Sequence, residues 1–288
     1  MLSGWKYICV QFGYSVTDVY TGAYLENPGI ICYCSHMRFA VIGSGSCGNS
    51  YIFKTVGSGF VVDNGYSCLE FCRRAKALGF DPSDVKYIFL THVHRDYIAG
   101  VEKLSRKFEI PVFVAEKLDL TGFVKNGFYR RVDITPGLTY NLDDFSFTVF
   151  PTFHDAPNSV GYSFSHEKDQ FTIITDTGKT SPQMRNLAEK SNVIFLESNY
   201  CPDMLRKGPY PPFLQERILS DHGHLSNYDA LDFVKKLSGD IERKIYLCHI
   251  SDKNNSPERV KEVFDTGLPE NVTIKKSGLK LYQNLTSL

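Results

Sequence analysis

Two histidines and an aspartate lie within five residues in the segment Thr91–Asp96. His92, His94 and Asp96 alternate directly after an apolar run, so their side chains project on one side if the extended backbone continues. Imidazole nitrogen and carboxylate oxygen are donors that zinc and similar divalent ions bind, and a catalytic site leaves one position open for water. The spacing predicts a metal site, and a polar loop with solvated histidines is the alternative.

Three further polar residues each end an apolar run. His154 ends FPTFH, Asp176 ends FTIITD and His249 ends YLCH. Each of them alone is more often a structural residue than a functional one. Together with the histidine pair they supply the ligand count of a two-metal centre.

Short apolar strands alternating with helices must position these residues. Strands are predicted for the runs VKYIFL, FTII, NVIFL and KIYLC, and helical spacing occurs in SCLEFCRRAKALG and NYDALDFVKKL. Open α/β sheets gather their ligands at the carboxyl ends of the strands. We therefore expect the polar residues at the strand ends to converge.

The order of these residues along the chain resembles the five motifs of the metallo-β-lactamase superfamily, over residues 37–288. Similarity to its YycJ (also called WalJ) branch is carried by GSGSCGNS, FHDA, ITDTGK, LESNYCPDML, RILSDHGHLSN and HISDKNNSPE. The superfamily motifs are carried by Asp63 in VVDNG, by His92, His94 and Asp96 in THVHRDY, by His154, by Asp176 in TDTG and by His249.

The resemblance implies an α/β fold, a four-layer αβ/βα sandwich with a metal site at one edge of two facing sheets. It also implies two divalent metal ions, zinc or manganese. His92, His94 and His154 would hold the first ion. Asp96 and His249 would hold the second ion, and Asp176 would bridge the two. Asp63 and Asp96 are expected among the catalytic residues, with Asp63 as an organiser of ligands and water.

One residue departs from the superfamily pattern. The last position of HxHxDH is Tyr97, so the second metal loses an imidazole, and a phenol with a pKa near 10 is a poor ligand unless a metal deprotonates it. Three outcomes follow: the second site is weak or empty, Tyr97 or a nearby histidine substitutes, or catalysis is impaired. An oxygen-rich second site would favour manganese.

A further histidine, His224 in DHGHLSN, lies outside the five motifs. By the resemblance it is a catalytic and substrate-binding residue, contacting phosphate or acting as general acid for the leaving oxygen. The alternative is that it caps the helix predicted from Asn227, a role that Ser226 or Asn227 can fill without a histidine. Three asparagines lie in loops whose sequence is similar to that of the YycJ branch: Asn199, Asn254 and Asn255. They are expected to bind substrate or to support the metal ligands.

The charge balance restricts what can be said about polyanions. Lys and Arg number 32, as do Asp and Glu, so any nucleic-acid site needs a local basic patch. Basic clusters such as Arg206-Lys207 are candidates for phosphate contacts or are solvated surface. Tyr210 and Phe213 could stack on a terminal base or pack internally.

Cysteine usage and hydropathy indicate a compartment. The eight cysteines include no C-x-x-C pair, which is typical of reduced thiols in a cytoplasmic protein. We find no apolar run of about 20 residues and no signal peptide, so we expect neither membrane insertion nor secretion. Residues 1–36 are predicted to be an extension of uncertain origin: a mis-assigned start, a real strand-forming extension or a functional segment. Residues 37–288 form the predicted hydrolase domain.

The function that these features indicate is a metal-dependent phosphodiesterase. The resemblance implies a 5′-to-3′ exonuclease on double-stranded DNA that uses metal-activated water and takes part in DNA repair. No G-x-S-x-G elbow, Walker loop or dinucleotide fingerprint offers another chemistry. The alternatives are a small-molecule metallo-hydrolase acting on a cyclic phosphate, lactone or thioester, and a non-catalytic metal-binding regulator.

Overall fold

The central strands alternate between two buried environments. A computed structural model describes residues 6–11, 31–33, 37–45, 48–238, 241, 243–267 and 282–283. In the strand 193–197, Val193 and Phe195 face one hydrophobic core while Ile194 and Leu196 face another. This period of two is that of a strand buried on both faces.

Two sheets are built in this way among the described residues. The larger has the spatial order β15 (Tyr282–Gln283), β1 (Lys6–Gln11), β14 (Lys244–Cys248), β13 (Val193–Glu197), β12 (Asp169–Ile174), β11 (Val160–His166), β10 (Phe145–Pro151), β9 (Thr139–Leu142). The smaller has the order β2 (Ile31–Tyr33), β3 (Arg38–Gly43), β4 (Ser50–Lys54), β5 (Gly59–Val62), β6 (Val85–Phe89), β7 (Pro111–Ala115), β8 (Arg130–Ile134).

Helices cover the outer face of each sheet. In the described part of the chain they are α1 (Cys68–Ala77), α2 (Arg95–Ile98), α3 (Val101–Phe108), α4 (Pro182–Glu189), α5 (Pro202–Lys207), α6 (Pro212–Leu219), α7 (Asn227–Lys235) and α8 (Pro257–Gly267), with a 3₁₀ turn at Pro82–Asp84. An aromatic-rich core that includes Phe39, Phe89 and Phe195 lies between the sheets. A second core packs α1 and α3 on the smaller sheet, and a third packs α4, α7 and α8 on the larger sheet. The layers are therefore helix, sheet, sheet, helix, as predicted.

The predicted elements are found with small shifts. The helix expected over 67–79 is α1, which Ser67 caps by accepting a hydrogen bond from the Glu70 N–H. The chain from Arg95 to Phe108 is not one continuous helix, because α2 ends at Ile98 and α3 begins after Gly100. A Cβ at Gly100 would lie 1.8 Å from the Tyr66 carbonyl oxygen, so close backbone packing requires glycine there.

The predicted extension 1–36 falls largely outside the described residues. Its two described pieces are strands: β1 pairs antiparallel with β14 and β2 pairs antiparallel with β3. The boundary at Met37 stays a prediction. None of the helices among the described residues has the length and apolar character that a membrane span requires.

The polar residues at the strand ends meet at one edge of the two sheets. In the smaller sheet β6 leads into His92 and α2, and in the larger sheet β12, β13 and β14 end beside Asp176, Glu197 and His249. Because β12, β13 and β14 are parallel, their carboxyl ends share an edge.

Candidate metal centre

Three histidines converge from two sheets. One donor nitrogen each from His92, His94 and His154 lies within 4.8 Å of the others. His154 Nε2 is 3.2 Å from His94 Nδ1 and 3.5 Å from Asp176 Oδ1. This group is the one predicted for the first metal.

A hydrogen-bond relay fixes the protonation of His92. Asp63 accepts from both the Thr91 N–H and the Thr91 hydroxyl, each at 2.8 Å. Because that hydroxyl proton is already donated, its oxygen accepts from His92 Nδ1 at 2.9 Å. The Nε2 atom of His92 is thereby left with its lone pair, and it is buried without a hydrogen-bond partner. Asp63 therefore lies behind the donor group and is linked to His92 through Thr91, and its role as an organiser of ligands and water stays a prediction.

A loop carbonyl sets the tautomer of His154. His154 Nδ1 donates to the Gly223 carbonyl oxygen at 3.1 Å, which leaves Nε2 free to face the centre. A Cβ on Gly223 would lie 2.2 Å from the Ile218 carbonyl oxygen, so only glycine fits where the chain passes this close to α6. Gly223 is thus part of the support of His154.

The second group of donors is acidic and lies beside the first. Asp176, Glu197, His224 and His249 offer ligand atoms within 4.8 Å of one another. Glu197 Oε1 accepts from His224 Nδ1 at 2.7 Å and from His249 Nδ1 at 3.0 Å. Glu197 was not among the predicted site residues, although it ends an apolar strand as Asp176 and His249 do.

Asp176 contacts both groups. Its Oδ1 atom lies 3.5 Å from His154 Nε2 and 3.6 Å from His249 Nδ1. Its other oxygen accepts a short hydrogen bond from the Tyr97 hydroxyl. The Tyr97 ring packs 4.1 Å from the His92 ring, centroid to centroid. Tyr97 therefore occupies the space between the groups and holds the central carboxylate.

Electrostatics in the second group favour charged side chains. Burial alone would lower the pKa of His249, but the negative charge of Asp176 and the hydrogen bond to Glu197 raise it to about 10. Burial works against ionisation of Glu197, yet the neighbouring His224 holds its pKa below the usual range. In the first group, burial lowers the pKa of His92, so this imidazole is neutral, as a ligand must be.

Three of the site residues have left-handed backbones. Asp63, Asp176 and His249 have φ angles of 58°, 52° and 53°. Residues other than glycine rarely adopt this backbone conformation, and such backbone strain is found mainly at functional sites. Each of these residues directly follows a strand or lies within two residues of its end.

A cavity of about 320 Å³ opens on the two groups. Asp96 lines it but belongs to neither group, and its Oδ2 accepts from Asn49 Nδ2 at 3.2 Å. The glycine-rich turn before β4 also reaches the centre, because the His249 N–H donates to Ser44 Oγ at 2.8 Å. Asp96 as a ligand or catalytic residue stays a prediction.

The remaining predicted residues divide between the cavity and its support. His224 lines the cavity, and the cap of α7 is made by Ser226 in a capping box, so the capping alternative for His224 is wrong. Asn199 also lines the cavity, and its amide donates to the His249 carbonyl oxygen at 2.9 Å. Asn255 is buried outside the cavity lining, with its amide donating to the Ser198 and Asn199 carbonyls. Its position suits support of the loop, and its predicted contact with substrate stays untested.

The donors present fit divalent metal ions. The first group is rich in nitrogen, and its His92 Nε2 is a buried atom that no protein group satisfies. The second adds two carboxylates and two imidazoles, and the Asp176 carboxylate faces both groups. Such N and O donors with an adjacent cavity are the composition of a catalytic two-metal site.

Comparison with known proteins identifies relatives over most of the chain. A family model described as the β-lactamase superfamily domain matches residues 60–250. Exodeoxyribonuclease WalJ of Streptococcus pneumoniae (strain D39) is 32% identical over 227 residues, covering 77% of this chain and 84% of the relative. Exodeoxyribonuclease YycJ of Bacillus anthracis is 33% identical over 227 residues, covering 77% of this chain and 85% of the relative.

Solved structures share the architecture at much lower identity. The metallo-β-lactamase fold protein YhfI of Bacillus subtilis superposes with a TM-score of 0.58 at 16% identity, covering 80% of this chain and 92% of YhfI. This likeness concerns the fold alone.

Proposed function

The chain belongs to the metallo-β-lactamase superfamily, in its WalJ/YycJ exodeoxyribonuclease branch, and we propose that it removes nucleotides from the ends of DNA. The predicted superfamily, fold class and enzyme class, a metal-dependent hydrolase, are confirmed by this membership. The observation that carries the proposal is the buried Asp176 carboxylate, which contacts both donor groups and lines the cavity.

We assign His92, His94 and His154 to one ion and Glu197 with His249 to the other, with Asp176 between them. His224 lies in the second group, which supports it as the histidine that substitutes where Tyr97 replaces an imidazole. When bound, two divalent ions at such a centre make water a nucleophile near neutral pH and balance the charge on phosphodiester oxygens. Zinc suits the first group, whose donors are all nitrogen, and manganese suits the second group, which has more oxygen donors than the first.

The side chains of this site orient the donors and receive the phosphodiester. Tyr97 holds Asp176 by its hydrogen bond, and Asp63 holds His92 through Thr91. Asp96 lines the cavity outside both donor groups, where its carboxyl group is placed to exchange a proton with a reacting oxygen.

Local cations support a nucleic-acid substrate despite the zero net charge. Arg95 is exposed between the cavity residues His94 and Asp96, and Lys253 is exposed between Ser251 and Asn254. Phosphate binding is largely Coulombic, so a local patch suffices. The relatives named exodeoxyribonuclease support DNA as the substrate. Attack from the 5′ end of a duplex, a part in DNA repair and a cytoplasmic location belong to the same proposal.

Degradation of end-labelled linear duplexes, with a closed circular duplex as control, tests the proposal. We expect mononucleotide release from the linear DNA with manganese or zinc, loss of activity with EDTA and no attack on the circle. Earlier loss of a 5′ label than of a 3′ label supports the 5′-to-3′ direction. Hydrolysis of a simple phosphodiester without any attack on DNA would replace this proposal by a small-molecule hydrolase.

A further inference from the structure

A small helical cap lies over the metal centre on its own hydrophobic cluster. The cap consists of α5, α6 and the loop between them, residues 202–219. Its buried contacts are separate from the three main cores and comprise Tyr200, Leu205 and Ile218 with Tyr210 and Leu214. The cap therefore packs as a unit of its own beside the centre.

The cap is attached to the first donor group through one ion pair. Arg217 on α6 contacts Asp155 through a short charge-assisted hydrogen bond. Asp155 Oδ1 in turn lies 3.6 Å from His94 Nε2 and 3.5 Å from His154 Nε2. The inner face of the cap, with Tyr210, Leu214 and Arg217, lines the cavity. Helix α6 thus has a fixed position relative to the metal ligands.

An unusually exposed aromatic residue stands on this helix. Phe213 is 72% exposed, more than any other aromatic residue that the structure describes. It lies next to Leu214 and one turn before Arg217, both of which line the cavity. Single exposed apolar residues are common, but this one is carried by the helix that borders the cavity.

The size of the cavity limits what can enter it. At about 320 Å³ it is at the lower end of the range of about 300–1,000 Å³ found for small-ligand pockets. That volume is close to the size of one nucleotide, so a single strand fits the cavity better than a base pair does. A duplex that opens at its end can therefore bring its terminal phosphodiester to the centre.

We propose that Phe213 stacks on the terminal base pair of duplex DNA and thereby directs one strand into the cavity. The inference rests on the proposed function. Stacking of a base on an exposed ring is tolerant of sequence, as an exonuclease requires. Arg206 and Lys207, at the end of α5, are exposed on the same cap and supply charge complementary to the DNA backbone.

The test compares Phe213→Ala, Phe213→Tyr and a matched control, Leu219→Ala. Leu219 is exposed on the same helix but six residues on, so it points to another side. Each full-length, metal-loaded protein is assayed for kcat/KM on a blunt duplex, on a duplex with an unpaired end and on bis(p-nitrophenyl) phosphate. Fluorescence of 2-aminopurine at the terminus of a duplex with non-hydrolysable terminal linkages, recorded with the same metal-loaded proteins, reports unstacking without turnover.

We expect Phe213→Ala to lose roughly 5- to 150-fold on the blunt duplex, the range of one lost base stack. It should lose much less on the unpaired end and nothing on the small phosphodiester. Phe213→Tyr should retain activity, as should Leu219→Ala. The 2-aminopurine signal should rise when Phe213 is present and stay low in Phe213→Ala.

Two results separate the inference from the function on which it rests. Equal activity of Phe213→Ala and wild type on the blunt duplex, or equal losses on the blunt and unpaired ends, would overturn the inference alone. A wild type that never degrades DNA would overturn the proposed function and this inference with it.

Discussion

Glu197 connects the two histidines of the second donor group. It is fully buried, and its Oε1 atom accepts from both His224 and His249. Its Oε2 atom accepts from the Thr177 and Leu225 N–H groups, so the carboxylate is fixed on both sides. These contacts make Glu197 as integral to the site as the aspartate between the groups.

Replacing Glu197 by Gln should weaken the second site and spare the first. The amide keeps the shape but loses the charge that holds both imidazoles, and loss of such a ligand or its support typically costs about 10- to 100-fold in metal affinity. Titration of metal-free protein with manganese would measure this. Glu189→Gln, an exposed carboxylate that accepts hydrogen bonds from a loop serine, is the control and should bind as wild type does. Unchanged affinity in Glu197→Gln would remove Glu197 from the site.

Metal uptake should release a proton from His249. Its pKa of about 10 lies above the ordinary 6.5, so the metal-free site holds His249 protonated at pH 7. An ion must displace that proton, and its apparent affinity should therefore rise with pH and level off above about 10. Calorimetric titration at pH 7 in buffers of different ionisation enthalpy should show about one proton released for the second ion. A binding enthalpy independent of the buffer would contradict this assignment.

Residue-scale prediction succeeds where residue type and position both indicate a ligand. Histidines and an aspartate that follow apolar runs are brought together by the structure, namely His92, His94, His154, Asp176 and His249. Glu197 follows the same pattern, but glutamates often end strands without any function, so the pattern alone does not single it out. The relay from Asp63 through Thr91 depends on which hydroxyl proton is donated where, and no sequence pattern records that.

At the scale of elements, the loop from α6 to α7 supports both donor groups. The Gly223 carbonyl accepts from His154, and His224 follows it directly. The His224 N–H donates to the Ile218 carbonyl at 3.1 Å, which ties this loop to the end of α6. The position of the cap therefore affects the positions of ligands in both donor groups.

Gly223→Ala should disturb the centre without unfolding the domain. The new methyl would lie 2.2 Å from the Ile218 carbonyl, so the loop must move and His154 loses its acceptor. We expect reduced metal content and roughly a tenfold or greater loss of activity, in the range that lost ligand support usually costs. Gly57→Ala is the control, since its methyl would meet only the tip of the Asp144 side chain at 3.3 Å. Full metal content in Gly223→Ala would show that the loop does not position His154.

The strands are easier to predict than the cap. Alternation and apolar runs indicate β6, β12, β13 and β14, because burial on both faces leaves a clear pattern. The cap gives no such pattern: α5 and α6 are short, begin with prolines and bury few residues. Their place over the centre follows from packing and from the Arg217–Asp155 contact, which are properties of the folded chain.

At the scale of the whole molecule, the net charge is zero because acidic and basic residues are equal in number. Two exposed basic residues, Arg95 and Lys253, nevertheless lie beside the cavity. Composition predicts only that any polyanion site must be local. The structure locates these cations at the cavity into which the acidic second group faces, and bound metal ions would balance the charge of that group.

Arg95→Ala and Lys253→Ala should each weaken DNA binding at all sequences alike. Each lost phosphate contact should reduce the slope of log affinity against log salt by about 1. Fluorescence anisotropy on DNA with non-hydrolysable terminal linkages measures binding by the metal-loaded proteins without degradation. Lys168→Ala is the control, because Lys168 is exposed in the β11–β12 turn, at the other end of β12 from Asp176. An unchanged salt slope in both variants would place the DNA elsewhere.

The central claim is that Asp176 joins two metal ions that act together in cleaving DNA. Elemental analysis of wild type and Asp176→Asn, with DNA degradation assayed on the same samples, tests it most directly. Asp119→Asn, an exposed carboxylate outside the cavity lining, is the matched control. We predict about two ions per chain and manganese-stimulated degradation in wild type and control, and loss of both bound metal and activity in Asp176→Asn. Unchanged metal content and turnover in Asp176→Asn would contradict the account.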